Sequence, residues 1–186
     1  MNICVFCSAQ DVPAKYQDAA REFATLIGKN GHTLVWGGSN VGTMKVIADA
    51  AQTAGGKIIG IDVEFLRHKA RPNVDEMIFT ADLGERKKLL LERSDAIVAL
   101  PGGIGTLDET TEVLALRRHG KHCKPTVFLN TDGFYDGMKI QLERMENEGF
   151  LGNINNDVVP GLEGVVHFAN TPPEVIDYLS SQYFVI

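Results

Sequence analysis

Cysteine is scarce. Cys4, Cys7 and Cys123 are the three in 186 residues, irregularly spaced, so neither a disulfide framework nor a four-cysteine zinc site is supported. Cys4 and Cys7 form C-x-x-C, but residues three apart in a strand point to opposite faces, which favours buried packing over redox or metal chemistry. Positive charge is also short: 18 Lys and Arg against 24 Asp and Glu leave a net charge of -6, which argues against nucleic-acid binding. No apolar run approaches the roughly 18 residues of a membrane span. The opening "MNICVFCS" lacks the basic start and long apolar core of a signal peptide, so a cytoplasmic protein without a membrane partner is expected.

What is present is a regular alternation. "ICVFC" (3–7) reads as a buried strand and 14–31 as an amphipathic helix. Strands follow at 33–38, 57–62, 75–81, 95–103 and 124–130, with helices at 41–56, 83–94, from the glycine turn after residue 103, and at about 134–148. An irregular, positively charged stretch covers 64–73. A loop containing "GNINND", a short strand "GVVHFA" (164–169) and a last helix (172–182) finish the chain. Near-continuous apolar strands separated by helices predict an α/β fold, a Rossmann-like doubly wound parallel sheet flanked by helices in a single domain over 1–186. Ligands then bind beyond the carboxyl ends of the strands, which "CSAQD", "WGGSNVG" and "LPGGIGTLDE" all reach.

Glycine loops between a strand and a helix let backbone N–H groups meet an anion at the positive end of the helix dipole. Two such loops suggest one phosphorylated ligand. It is not a dinucleotide by the usual fingerprint: Ser39 stands where a second glycine is needed after Gly37, and Asp108 where a third is needed after Gly103 and Gly105. G-x-x-x-x-G-K-[ST] is absent as well. Thr106 and Glu109 have the T-x-x-E spacing of a capping box, which would start a helix in an inert protein too. Arg86, Lys87 and Lys88 can be a solvated helix face. Asp108 and Glu112, at i and i+4, are expected to face solvent or a neighbouring subunit. The five histidines are dispersed, and Arg117, Arg118, Lys121 and His122 suit a helix end at Gly120.

The run Pro101-Gly-Gly-Ile-Gly-Thr-Leu-Asp-Glu109 resembles the P-G-G-x-G-T-x-x-E signature of the Lonely Guy family, cytokinin riboside 5'-monophosphate phosphoribohydrolases, many once labelled lysine decarboxylases. "VFCS", "WGGSNVGTM", "ERK" (85–87) and "KPTVFLNTDGFYDGM" (124–138) extend the resemblance over nearly the whole chain. The resemblance implies hydrolysis of a purine nucleoside 5'-monophosphate, adenine-type and possibly N6-modified, to free base and ribose 5-phosphate. It places catalysis on Arg86 and Glu109 and the 5'-phosphate on Gly102, Gly103, Gly105 and Thr106 with Lys87 nearby, and needs neither metal nor cofactor; Gly38 and Ser39 of the second glycine loop and Asp108 complete the expected substrate-binding set. It further implies a homodimer or higher oligomer. The chain departs from the family's pattern at Leu83-Gly84-Glu85, where a histidine is missing before Arg86, at Ser39 and Lys45 in the second loop, at "FLRHKARPN", and at Ala115. A non-enzymatic nucleotide or molybdenum-cofactor carrier is the alternative; lysine decarboxylation would need pyridoxal phosphate on a lysine that nothing marks.

Overall fold

The structure, a computed structural model, describes residues 1–151 and 161–183. The "GNINND" loop lies outside the described residues. The chain runs β1 (Asn2–Phe6), α1 (Ala14–Lys29), β2 (Thr33–Trp36), α2 (Gly42–Thr53), β3 (Lys57–Val63), a 3-10 segment (Glu64–Lys69), β4 (Glu76–Thr80), α3 (Leu83–Glu92) and β5 (Ala96–Ala99). Then follow α4 (Ile104–Arg118), β6 (Thr126–Leu129), a 3-10 turn (Thr131–Gly133), α5 (Asp136–Asn147), α6 (Leu162–Val165), β7 (His167–Ala169) and α7 (Pro172–Tyr183).

All seven strands are parallel, in the order β4-β3-β2-β1-β5-β6-β7. The alternation within each strand explains why both faces are covered. Ile3, Val5, Leu34, Trp36, Ala96 and Val98 pack with α1, α2 and α7, on a layer built from Phe23, Ile27, Ile47, Val175 and Leu179. Cys4, Phe6, Val35, Ile61 and Ile97 face the other way, against Leu90 of α3 and Val113 of α4. Cys4 and Cys7 therefore sit in separate clusters, both buried and free. Burying each such Leu, Ile or Val contributes about 1.5–3 kcal/mol, so the continuous apolar strands suffice to fix a two-sided sheet.

The layout has one functional consequence. From β1 the chain turns to α1 on one face, whereas from the adjacent β5 it turns to α4 on the other. Connections part there, leaving a crevice at the carboxyl ends of β1 and β5.

Two local expectations are corrected. The stretch "GVVHFA" is only half strand, because Leu162 and Val165, one helical turn apart, bury together against the α4–β6 cluster and keep Gly164 and Val165 in α6, so that β7 begins at His167. Thr106 and Glu109 form no capping box: α4 starts at Ile104 with Gly103 as N-cap and no side-chain cap, so both residues already lie inside the helix. Side-chain capping occurs instead at α3, where Asp82 accepts the Glu85 N–H at 2.8 Å and Glu85 accepts the Ala81 N–H at 2.9 Å.

Candidate active site

The crevice opens into a cavity of about 260 Å³ lined by Val5 and Phe6 of β1 and Cys7 to Gln10 after it, Gly37 and Ser39 after β2, Asp62 of β3, Arg86 of α3, and Gly103, Gly105, Thr106 and Glu109 at the start of α4, with Met44 and Leu66. A larger hollow of about 410 Å³ between α1 and α2 lies in the outer helix layer, remote from this edge.

At its centre Arg86 Nη1 donates to Glu109 Oε1 at 2.7 Å, both side chains being only 12% exposed. Capping by Asp82 fixes the first turn of α3 and so aims Arg86 inward, where its Nε donates to the Ile61 carbonyl at 3.0 Å. Gly37 makes room for it: a Cβ there would stand 2.3 Å from Arg86 Nη2. Burial pushes the Glu109 carboxyl above its ordinary value, although Arg86 pulls it back down. A carboxylate so placed is buried yet charge-compensated, which suits it to meeting a developing positive charge or taking up a proton.

Beside the pair lies a helix start whose backbone donors are open to an anion. The N–H groups of Ile104, Gly105 and Thr106 are in the first turn of α4, where no intrahelical acceptor exists, and no side chain caps them. Nothing lies within 4 Å of a Cβ built at Gly103 or Gly105, so the approach is open. Gly102 is different, since a Cβ there would meet Thr106 Oγ1 at 2.2 Å. It packs the turn together and lines a neighbouring hollow of about 280 Å³ with Ser8, Val12, Tyr16, Pro101 and Phe134.

Among the sequence-derived site residues, the structure brings Arg86, Glu109, Ser39, Gly103, Gly105 and Thr106 into one cavity. Gly38, with φ +77°, instead gives its carbonyl to the Arg71 N–H at 2.8 Å. One position along α3 from Arg86, Lys87 turns away from the cavity. Its Nζ pairs with Glu112 at 2.5 Å and Asp108 at 3.0 Å, and these contacts, Glu112 first, raise its pKa. Asp62 was not foreseen; an acid ending an otherwise apolar strand, "KIIGID", is the signal that marks it.

A doubly wound parallel sheet with an uncapped helix N-terminus and a buried Arg–Glu pair at its switch point defines a Rossmann-like α/β protein whose crevice can receive an anion. A family model described as "Possible lysine decarboxylase" matches residues 44–179. The cytokinin riboside 5'-monophosphate phosphoribohydrolase of Mycobacterium tuberculosis is 36% identical over 151 residues, spanning 80% of this chain and 81% of that one. A probable cytokinin riboside 5'-monophosphate phosphoribohydrolase of Oryza sativa subsp. japonica is 35% identical over 182 residues, spanning 96% and 70%. Among solved structures, the molybdenum cofactor binding protein of Rippkaea orientalis superposes with a TM-score of 0.74 at 25% identity, covering 98% of this chain and 96% of that one. The chain belongs to the Lonely Guy family, that of the cytokinin riboside 5'-monophosphate phosphoribohydrolases.

The decarboxylase description does not suit the cavity. Pyridoxal chemistry requires a lysine that can lose its proton to form a Schiff base. No lysine is among the lining residues, and the neighbouring Lys87 is held protonated by two carboxylates.

Proposed function

We propose that the protein hydrolyses the N-glycosidic bond of a purine nucleoside 5'-monophosphate, adenine-type and open to N6 modification, releasing the free base and ribose 5-phosphate. The observation that carries this reading is the buried Arg86–Glu109 pair beside the uncapped N-terminus of α4. The names of the relatives, at 35–36% identity, support the same chemistry.

The 5'-phosphate takes the α4 turn, held by the N–H groups of residues 104–106 in the space left by Gly103 and Gly105, with Gly102 and Thr106 keeping the turn in shape. Lys87 flanks the turn with its charge already matched by Asp108 and Glu112, so it presents no free cation there. Departure of the base leaves positive charge on the ribose, as in glycoside hydrolysis, and ionised Glu109 opposes that charge. The C1'–N bond breaks and the water oxygen bonds to C1'. One proton of that water, taken up by Glu109, ends on the departing base. Arg86 keeps Glu109 ionised in its buried position and offers its remaining guanidinium protons to substrate oxygens. Neither a metal nor a redox group is required by this sequence of steps.

The protein acts as a cytoplasmic homodimer in this reading. Phe65, Leu83 and Ile104 stand exposed on segments that follow β3, β4 and β5, hence at the same edge of the sheet, where a second copy would cover them. No helix among the described residues is long and apolar enough to cross a membrane.

A second reading, a nucleotide or cofactor carrier, draws on the likeness to the Rippkaea protein. A carrier would use the α4 turn but has no use for a buried carboxylate beside it. Comparison of AMP with adenosine tests the proposal: the monophosphate is cleaved with a kcat/KM about a hundredfold or more above the nucleoside, the scale of several charge-assisted hydrogen bonds lost together. Equal rates would remove the phosphate site from the mechanism.

A further inference from the structure

Asp62 ends the cavity on the side opposite the α4 turn. It is 1% exposed, yet lines the cavity. Its Oδ1 accepts the Val63 N–H at 2.8 Å, and its Oδ2 accepts the Ser39 hydroxyl at 3.0 Å. Ser39 is likewise buried. Among the described residues no cation lies within ion-pair distance of Asp62; Arg86, which lines the same cavity, gives Nη1 to Glu109 and Nε to Ile61. A buried carboxylate lacking a cation is costly unless hydrogen-bond donors reach it. Each carboxylate oxygen offers about two acceptor positions, so each has one left. The Ser39 hydroxyl already donates its one hydrogen to Asp62, so its oxygen can offer a ligand only acceptor positions. The wall is therefore an array of acceptors.

Its place along the ligand follows from the strand order. The α4 turn follows β5, whereas Ser39 follows β2 and Asp62 belongs to β3. The strands β5, β1, β2 and β3 are consecutive neighbours, so the two ends lie about 14 Å apart at the ordinary strand spacing. Arg86, packed on Gly37 and paired with Glu109, stands between them. A nucleotide with its phosphate on α4 and C1' at Glu109 directs its base toward Ser39 and Asp62, beside the apolar Met44 and Leu66.

Building on the hydrolase reading, we propose that Ser39 and Asp62 form a base-reading pair that selects nucleobases presenting an exocyclic N–H donor and rejects those presenting a carbonyl at the same position. Adenine meets the requirement, and so does an N6-monosubstituted adenine, which keeps one N–H. Hypoxanthine puts an oxygen against two acceptors, and N6,N6-dimethyladenine has no proton to give.

The test compares AMP, N6-methyl-AMP, IMP and N6,N6-dimethyl-AMP as substrates of the full-length wild-type protein, Asp62→Asn and Ser39→Ala. AMP and N6-methyl-AMP are expected to exceed the other two in kcat/KM by about ten- to a hundredfold, the loss of a hydrogen bond to a charged group. Asp62→Asn, whose amide both donates and accepts, should bring the AMP-to-IMP ratio close to one, and Ser39→Ala should lower it. IMP cleaved within about threefold of AMP by the wild type, below the effect of one charged hydrogen bond, overturns the proposal, as does a ratio unmoved in both variants. Should Asp62→Asn fail to fold, the wild-type series and Ser39→Ala decide. If no monophosphate is cleaved, the hydrolase reading falls by itself. Equilibrium binding then reads the pair: AMP tighter than IMP, levelled by Asp62→Asn, upholds it, and equal binding overturns it.

Discussion

Replacing Glu109 by glutamine separates chemistry from stability at this site. The substitution keeps the shape and leaves an amide oxygen able to accept from Arg86 Nη1, now 2.7 Å from the carboxylate. Two opposing terms set the stability. Burial raises the Glu109 pKa, so the folded state holds the charged carboxyl less well than water does. A group with a raised folded pKa favours folding most below its unfolded value and loses that advantage as pH rises through the folded value. At neutral pH Glu109 therefore costs stability, and removing its charge recovers some of it. Against this, the Arg86 guanidinium loses its counter-charge while remaining 12% exposed, a loss of about 1–3 kcal/mol. The two effects oppose each other, so the net change is smaller than that loss, and Tm, which moves about 2–4 °C per kcal/mol in a chain of this length, shifts by only a few degrees. The rate has no such compensation: loss of the proton acceptor and of the charge facing the ribose lowers kcat about a thousandfold, equivalent to about 4 kcal/mol. Calorimetry together with a chromatographic assay of released base reads both. A variant that keeps a tenth of the wild-type kcat would refute the assignment of Glu109, and one that loses about 10 °C with its activity would show a structural role instead.

Further outcomes follow from the same geometry. Because burial raises the Glu109 pKa, activity should fall on acidification at a pH above that of an exposed carboxylate. Arg86→Met should move that limb higher still, since Arg86 is the principal influence holding the pKa down; a pH profile of kcat/KM with an unmoved limb would contradict the pairing. Gly102→Ala should destabilise the protein by about 1–3 kcal/mol, because the new methyl collides with Thr106. Gly105→Ala, which meets nothing within 4 Å, should leave Tm unchanged or raised while increasing KM for the monophosphate. Thermal denaturation and steady-state kinetics on the two variants check the contrast, and equal Tm losses would undo it.

The layering was legible because the strands carry unbroken apolar runs such as "ICVFC" and "AIVA", which suit only a sheet covered on both faces. The α4 turn was legible from its three glycines. The Arg86–Glu109 contact was not legible from spacing, since it joins residues 23 apart on two helices through a strand order that no local pattern states; the family resemblance pointed to both residues, Glu109 by the signature and Arg86 by "ERK", and the fold supplies the reason they meet. The capping reading of Thr106 and Glu109 failed because backbone N–H groups here are left open, so the usual side-chain start signal sits one turn inside the helix. Asp62 was passed over because a single acid near the end of a strand carries no motif of its own. Only the parallel stacking of β2 beside β3 puts Ser39 over it.

The most direct measurement is the incubation of purified wild-type protein with AMP, followed by chromatographic identification and quantitation of everything that forms. Adenine and ribose 5-phosphate in equal amounts, accumulating over many turnovers, are the expected result. AMP that binds and raises Tm yet is recovered intact would contradict the account and leave a carrier in its place.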